Sequence, residues 1–61
     1  MKKGKHFVSV GKKHNWFTVF INSEVMNAKE PRAKFIDEED AWDWAYRLSD
    51  LLTIGMEESL Q

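Results

Sequence analysis

The chain has 61 residues, with nine Lys and Arg against ten Asp and Glu, and it contains no cysteine. This length allows one small domain, and the absence of cysteine excludes disulfides and thiolate zinc sites as sources of its stability. No stretch approaches the ~20 apolar residues of a membrane-spanning helix, and the apolar run after the basic start is too short for a signal peptide. We therefore expect a soluble, cytoplasmic protein.

The two halves of the chain carry opposite charge, although the net charge is only −1. Residues 1–34 contain eight basic and two acidic residues, a formal charge of +6, and residues 35–61 contain one basic and eight acidic residues, a formal charge of −7. A small protein polarised in this way presents two surfaces that can attract different partners.

Two strands are predicted in the first third of the chain. His6–Val10 is a short strand candidate, and Trp16–Ile21 is a stronger one because it consists of β-branched and aromatic residues. Gly11–Asn15 is typical of a turn, so we expect a hairpin with a five-residue connection. Alternation gives the second strand two faces, one with Phe17, Val19 and Ile21 and the other with Trp16, Thr18 and Phe20.

The segment 22–32 is ambiguous between strand and loop. Val25 and Met26 suit a strand, whereas the polar residues around them and Pro31 suit a loop. We interpret the segment as a long excursion that returns to the sheet through Ala33–Ile36, and we leave open whether it contains a strand. Pro31 marks a sheet edge or the start of a strand, because it cannot donate to a hydrogen-bonded ladder.

A helix is predicted over residues 37–54. Asp37 is a good N-cap, and acidic residues fill the first turn, where the helix dipole favours them. Gly55 is a natural stop, and residues 55–61 are expected to form a mobile tail. The apolar residues fall in one helical sector: Ala41, Trp44, Ala45, Leu48, Leu51 and Leu52.

These elements predict a single α+β domain over residues 1–61. A small antiparallel three-stranded sheet over 6–36 follows a basic N-terminal tail, residues 1–5, and one C-terminal amphipathic helix packs on one face of the sheet. Aromatic residues are expected to supply much of the core, since each large ring can bury ~150–250 Å².

The first functional hypothesis is a non-catalytic protein that binds DNA or RNA. If Phe17 and its alternate neighbours meet the helix, Trp16 and Phe20 point away from it, towards nearby lysines. Rings that stack on bases and ammonium groups that neutralise phosphates are what a nucleic-acid surface needs. The residues predicted to bind are Lys12, Lys13, Trp16, Phe20 and Lys34.

The alternative hypothesis is a phage or mobile-element protein that binds and regulates or inhibits a host protein. Trp42 and Tyr46 are i, i+4 neighbours beside the apolar sector of the helix, and partly exposed Trp and Tyr residues are typical interface anchors. These two residues and the acidic helix face would carry the contact. The same rings could instead serve a homodimer, or simply extend the core at the rim of the sheet.

Catalysis is not expected. His6 and His14 have no metal-ligand spacing, the serines lie in no nucleophile motif, and the glycines form no phosphate-binding loop. A chain of this size also offers little cleft in which to desolvate an acid–base pair. We therefore predict no catalytic residues, no metal and no cofactor.

The run from His6 to Leu52 resembles two groups of proteins. Its segments HFVSV, NWFTVFI, RAKFID and EEDAWDWAYRLSDLL are similar to short uncharacterised bacterial and phage proteins with a strand–strand–strand–helix pattern. They also resemble the arm-site DNA-binding N-terminal domain of phage-type tyrosine recombinases, where a three-stranded sheet enters the major groove. The long segment 22–32, fewer arginines and the lack of a following recombinase domain depart from that family. The resemblance implies the fold and favours nucleic acid, but it assigns no individual residue.

Overall fold

Four strands and one helix follow one another in the computed structural model, which describes residues 6–24 and 26–60. The predicted basic tail, residues 1–5, lies outside this part of the chain. The strands and the helix are β1 (His6–Lys13), β2 (Trp16–Ser23), β3 (Ala28–Phe35), α1 (Glu38–Leu52) and β4 (Gly55–Met56).

The strands form one mixed sheet in the order β3-β2-β1-β4. β2 is antiparallel to β1 and to β3, as expected, but β4 runs parallel to β1 and pairs Gly55 with Phe7 and Met56 with Val8. The prediction of three antiparallel strands is therefore wrong, although the α+β class and the helix packed on the sheet are confirmed. A two-residue strand is too short to leave an alternating pattern in the sequence. It forms at the start of the expected tail 55–61, because α1 returns the chain beside β1.

The hairpin between β1 and β2 is tighter than predicted. β1 continues through Gly11 to Lys13, which pairs with Trp16, so the turn consists of His14 and Asn15 alone. His14 has a φ of 57°, the positive value that the first central residue of a two-residue hairpin turn requires. The composition of Gly11, Lys12 and Lys13 predicted a turn. At the end of a hairpin, however, both faces of the sheet are close to solvent, so a strand can contain lysines there.

The third strand begins five residues earlier than predicted. β3 starts at Ala28 and includes Pro31, so most of the expected excursion is strand. Pro31 is accommodated because β3 lies at the edge of the sheet, as its sequence suggested, and because the register with β2 shifts between Val19 and Phe20. The shift leaves Arg32 as the extra residue between the pairs Phe20–Pro31 and Val19–Ala33.

The core lies between α1 and the face of the sheet that β1 and β2 present to it. Its fully buried residues are small or β-branched, and the two alanines of α1 let the helix axis approach the sheet closely: Val8, Val10, Val19, Ala41 and Ala45. Larger side chains are partly buried around them: Phe17, Phe35, Trp42, Leu48, Ile54 and Met56. The aromatic residues therefore border the core rather than form its centre.

The helix is shorter and its buried stripe narrower than predicted. Asp37 is the N-cap residue by backbone geometry, without a side-chain cap hydrogen bond, and the helix ends at Leu52 with Thr53 as C-cap. Thr53, with a φ of 55° in the left-handed region, ends the helix two residues before Gly55, the predicted stop. Leu51 is 79% exposed, and Trp44 and Leu52 are also exposed, because the sheet meets the helix along its alanines.

Candidate nucleic-acid interface

The face of the sheet turned away from α1, called the outer face below, holds most of the predicted binding residues. Directly opposed residues of an antiparallel pair share a face. Three such pairs each place one lysine on the outer face: Lys13 opposite Trp16, Lys34 opposite Thr18, and Lys29 opposite Asn22. The lysines therefore border β2 on both sides, over about 20 Å of its length, given a rise of about 3.3 Å per residue.

Lys12 does not belong to this group. It pairs with Phe17, whose ring packs against the core, and its Nζ lies 5.7 Å from the centroid of that ring. Its side chain is thus on the α1 side of the sheet. The predicted binding set is divided, with Lys13, Trp16, Phe20 and Lys34 together on one face and Lys12 on the other.

The two aromatic residues of the outer face differ in accessibility. Trp16, beside the hairpin turn, is 44% exposed, whereas Phe20 is half-buried. The Nζ of Lys29 lies 4.5 Å from the centroid of the Phe20 ring, a cation–π contact that covers the ring. Sequence reasoning missed Lys29 because it lies in the segment whose structure was left open. The signal that could have found it is the register of β3, which brings Lys29 next to Phe20.

The centre of the outer face is polar but closed to solvent. Ser9 is 1% exposed and Thr18 is 6% exposed. The Nδ2 group of Asn22 donates to Ser9 Oγ at 2.8 Å and to the carbonyl oxygen of Phe7 at 3.2 Å. Because an amide group has two hydrogens, both donors of Asn22 are used inside the protein.

The strand residues of the outer face carry positive charge, whereas Glu24 and Glu57 lie together beside Phe7, at the end of the face farthest from Trp16. The strand residues that the register assigns to the outer face include three lysines and no Asp or Glu within the described part of the chain. Glu30 pairs with Ile21, which puts it on the α1 side, and it forms an ion pair of 2.9 Å with Arg32. Glu24 follows β2, at the opposite end of that strand from Trp16.

Trp42 and Tyr46, predicted to form a protein interface, lie together on one flank of α1. Their ring centroids are 6.1 Å apart. Trp42 packs against the core and its Nε1 donates to Glu38 Oε2 at 3.0 Å, whereas Tyr46 is 47% exposed and its hydroxyl donates to Glu58 Oε2 at 3.5 Å. The two residues therefore differ in role, because Trp42 stabilises the fold whereas the ring of Tyr46 is accessible to a partner.

The remaining candidate chemistry is sparse. His6 and His14 are exposed, one at the start of β1 and the other in the hairpin turn. Over residues 6–24 and 26–60, no group of three or more His, Cys, Asp or Glu side chains is arranged to hold a metal ion. Within the same residues, the helix is neither long nor apolar enough to cross a membrane.

The resemblances described above rest on short core patterns. Compared with protein-family models, curated proteins and solved structures, the chain gives no match, so these resemblances stay predictions.

Proposed function

We propose that this chain is a non-catalytic protein that binds nucleic acid through the outer face of its sheet. The observation that supports the proposal is the placement of Lys13, Lys29 and Lys34 on the same face as the exposed ring of Trp16, a face whose strand residues include no described acid. Ammonium groups neutralise phosphates and an exposed indole packs on a base or a sugar.

Binding through so few lysines should be moderate and strongly dependent on salt. Each phosphate that a lysine neutralises releases condensed counterions, so the logarithm of the binding constant falls linearly with the logarithm of the salt concentration. The net charge of −1 supplies no long-range attraction. The attraction must therefore come from the local field of the outer face, while the acidic first turn of α1 lies on the other side of the sheet.

The experiment is a salt titration by fluorescence polarisation with short labelled oligonucleotides and two double variants of equal charge. The first variant, Lys13→Glu with Lys34→Glu, reverses two charges on the outer face. The control, Lys12→Glu with Arg47→Glu, reverses two charges on the α1 side and lowers the formal net charge by the same four units. Lys12 and Arg47 are both exposed, so the control should fold.

We expect the parent and the control to bind at low salt with similar salt dependence, and the outer-face variant to lose most of its affinity. Equal loss in both variants would mean that only overall charge matters and would reject the outer face as the binding surface. Failure of the parent to bind any oligonucleotide at low salt would reject the proposed function itself.

A further inference from the structure

We infer that the outer face binds single-stranded nucleic acid with little sequence preference, and that Trp16 is its stacking residue. This inference rests on the proposed function and specifies the class of ligand. Three observations carry it: the closed polar centre of the face, the exposed indole of Trp16 and the covered ring of Phe20.

Reading base pairs from a groove requires donors and acceptors that project from the protein. The polar side chains between the lysines of this face are not free to contact base edges. Ser9 and Thr18 are buried, and both amide hydrogens of Asn22 are bound within the protein. Arg32, whose planar guanidinium suits a guanine edge, is paired with Glu30 instead. The exposed strand side chains that remain on this face are three lysines, Trp16 and Pro31, a set better suited to phosphates and ring faces than to one particular base.

An exposed indole favours a single strand over a duplex. In a duplex the faces of the bases are already stacked on one another, so an indole cannot stack on them. In a single strand a base can stack on Trp16, while the lysines hold the backbone on either side of β2. Phe20 is less suited to this role because the ammonium group of Lys29 lies over its ring. A base could stack there only by displacing that contact.

The test compares a single strand with the duplex of the same sequence, over one series of salt concentrations that starts at low salt, for the parent and for two Trp16 variants. Trp16→Phe keeps an aromatic face, and Trp16→Leu keeps the apolar cover of the sheet without a π surface. Circular dichroism and thermal unfolding establish that both variants are folded. Phe20→Leu makes the same kind of change at the aromatic ring that Lys29 covers, and its binding is compared with that of Trp16→Leu.

We expect the parent to bind the single strand more tightly than the duplex, and single strands of different sequence with similar affinity. Trp16→Leu should weaken single-strand binding about 5- to 150-fold, the range that corresponds to the loss of one stacking contact. Trp16→Phe should weaken it much less, and Phe20→Leu should also have the smaller effect. The slope against salt should stay unchanged in all three variants, because no charge is altered.

Tighter binding to the duplex, or a Trp16→Leu variant that binds single strands as well as the parent, would overturn this inference. Either result would leave the proposed function standing if the Lys13 and Lys34 reversal still abolished binding. A strong preference for one sequence would also overturn it, since contacts to phosphates and to ring faces do not distinguish one base from another. If the parent binds neither form, the proposed function fails and this inference fails with it.

Discussion

Lys12 and Lys13 are adjacent in the sequence, yet they lie on opposite faces of the sheet. Lys12 pairs with Phe17 on the α1 side, and Lys13 pairs with Trp16 on the outer face. The separation exists because β1 continues to Lys13 instead of ending at a turn after Val10, so the side chains alternate as in any strand. The two residues thus form a matched pair, with the same side chain and neighbouring positions but different surfaces.

Single replacements at these two positions should therefore differ in their effect on binding. We expect Lys13→Gln to weaken nucleic-acid binding and to reduce the slope of the salt dependence by about 0.7 for a single strand, the contribution of one neutralised phosphate. Lys12→Gln should leave both quantities close to those of the parent. A salt titration of the two variants under identical conditions gives the comparison, and equal slopes for the two would contradict the assignment of faces.

Asn22 should prove important for stability and not for binding. Asn22→Ala removes the donor that satisfies Ser9 Oγ and the carbonyl oxygen of Phe7. Leaving buried polar groups unsatisfied costs about 1 to 3 kcal/mol, so we expect a clear loss in the free energy of unfolding. Asn15→Ala, in the exposed turn, should stay within about 0.5 kcal/mol of the parent.

Urea unfolding measures both Asn22→Ala and Asn15→Ala, and oligonucleotide binding is then compared where each protein is folded. If folded Asn22→Ala lost affinity for nucleic acid, its amide would be part of the recognition surface after all.

The elements that could be predicted from the sequence are those with a long, characteristic pattern of residue types. β2 consists of β-branched and aromatic residues from Trp16 to Ile21, and α1 combines an acidic first turn with a helical period, so both were placed to within a few residues. β4 and the first half of β3 were missed. β4 has two residues, and the segment around Pro31 forms a strand because an edge position and a register shift tolerate proline.

The candidate site was predicted in part for the same reason. Alternation along β2 correctly put Trp16 and Phe20 on one face, since that strand was located well. The lysines come from the neighbouring strands, and their faces depend on where those strands begin and end. Because the end of β1 was placed too early, Lys12 was included in the predicted binding set. Because the start of β3 was not assigned, Lys29 was left out of that set.

Three residues other than glycine have positive φ, over the described part of the chain, and they should respond differently to glycine. These are His14 at 57°, Asn27 at 50° and Thr53 at 55°. Threonine is β-branched and suits this conformation least, whereas asparagine tolerates it. We expect Thr53→Gly to raise the free energy of unfolding by about 1 kcal/mol, His14→Gly to raise it less, and Asn27→Gly to leave it unchanged or lower it.

Chemical denaturation of the three glycine variants measures this order directly. The gain is limited in every case because glycine also increases the entropy of the unfolded chain. A stability gain at Asn27 that exceeded the gain at Thr53 would contradict this account of the backbone.

The close approach of α1 to the sheet predicts that Ala45 cannot be enlarged. Ala45 is fully buried against the valines of β1 and β2, and a larger side chain there would push the helix away. Overpacking of this kind costs about 1 to 3 kcal/mol, so Ala45→Leu should lower the midpoint of thermal unfolding markedly. Ala28→Leu makes the same change at an exposed strand end and should have little effect. Equal midpoints for the two variants would mean that the core has space beside α1.

The alternative function, binding of a host protein through Trp42 and Tyr46, needs variants that separate binding from folding. Trp42 packs against the core and bonds to Glu38, so Trp42→Ala should cost about 1 to 3 kcal/mol of stability. The loss of a partner in that variant would therefore be uninformative. Tyr46→Ala removes an exposed ring and a long hydrogen bond to Glu58, and its stability should stay within about 1 kcal/mol of the parent.

Tyr46→Ala is thus the variant that tests the protein interface, with Leu51→Ala as its control on the opposite flank of the exposed helix surface. Affinity capture from host extract, with mass spectrometry, would compare the parent and the two variants. If a protein is captured by the parent and by Leu51→Ala but not by Tyr46→Ala, the interface hypothesis is supported. Capture that persists in Tyr46→Ala and disappears in Leu51→Ala would move the interface to the Trp44–Leu51 side of α1, where the exposed leucine and tryptophan lie.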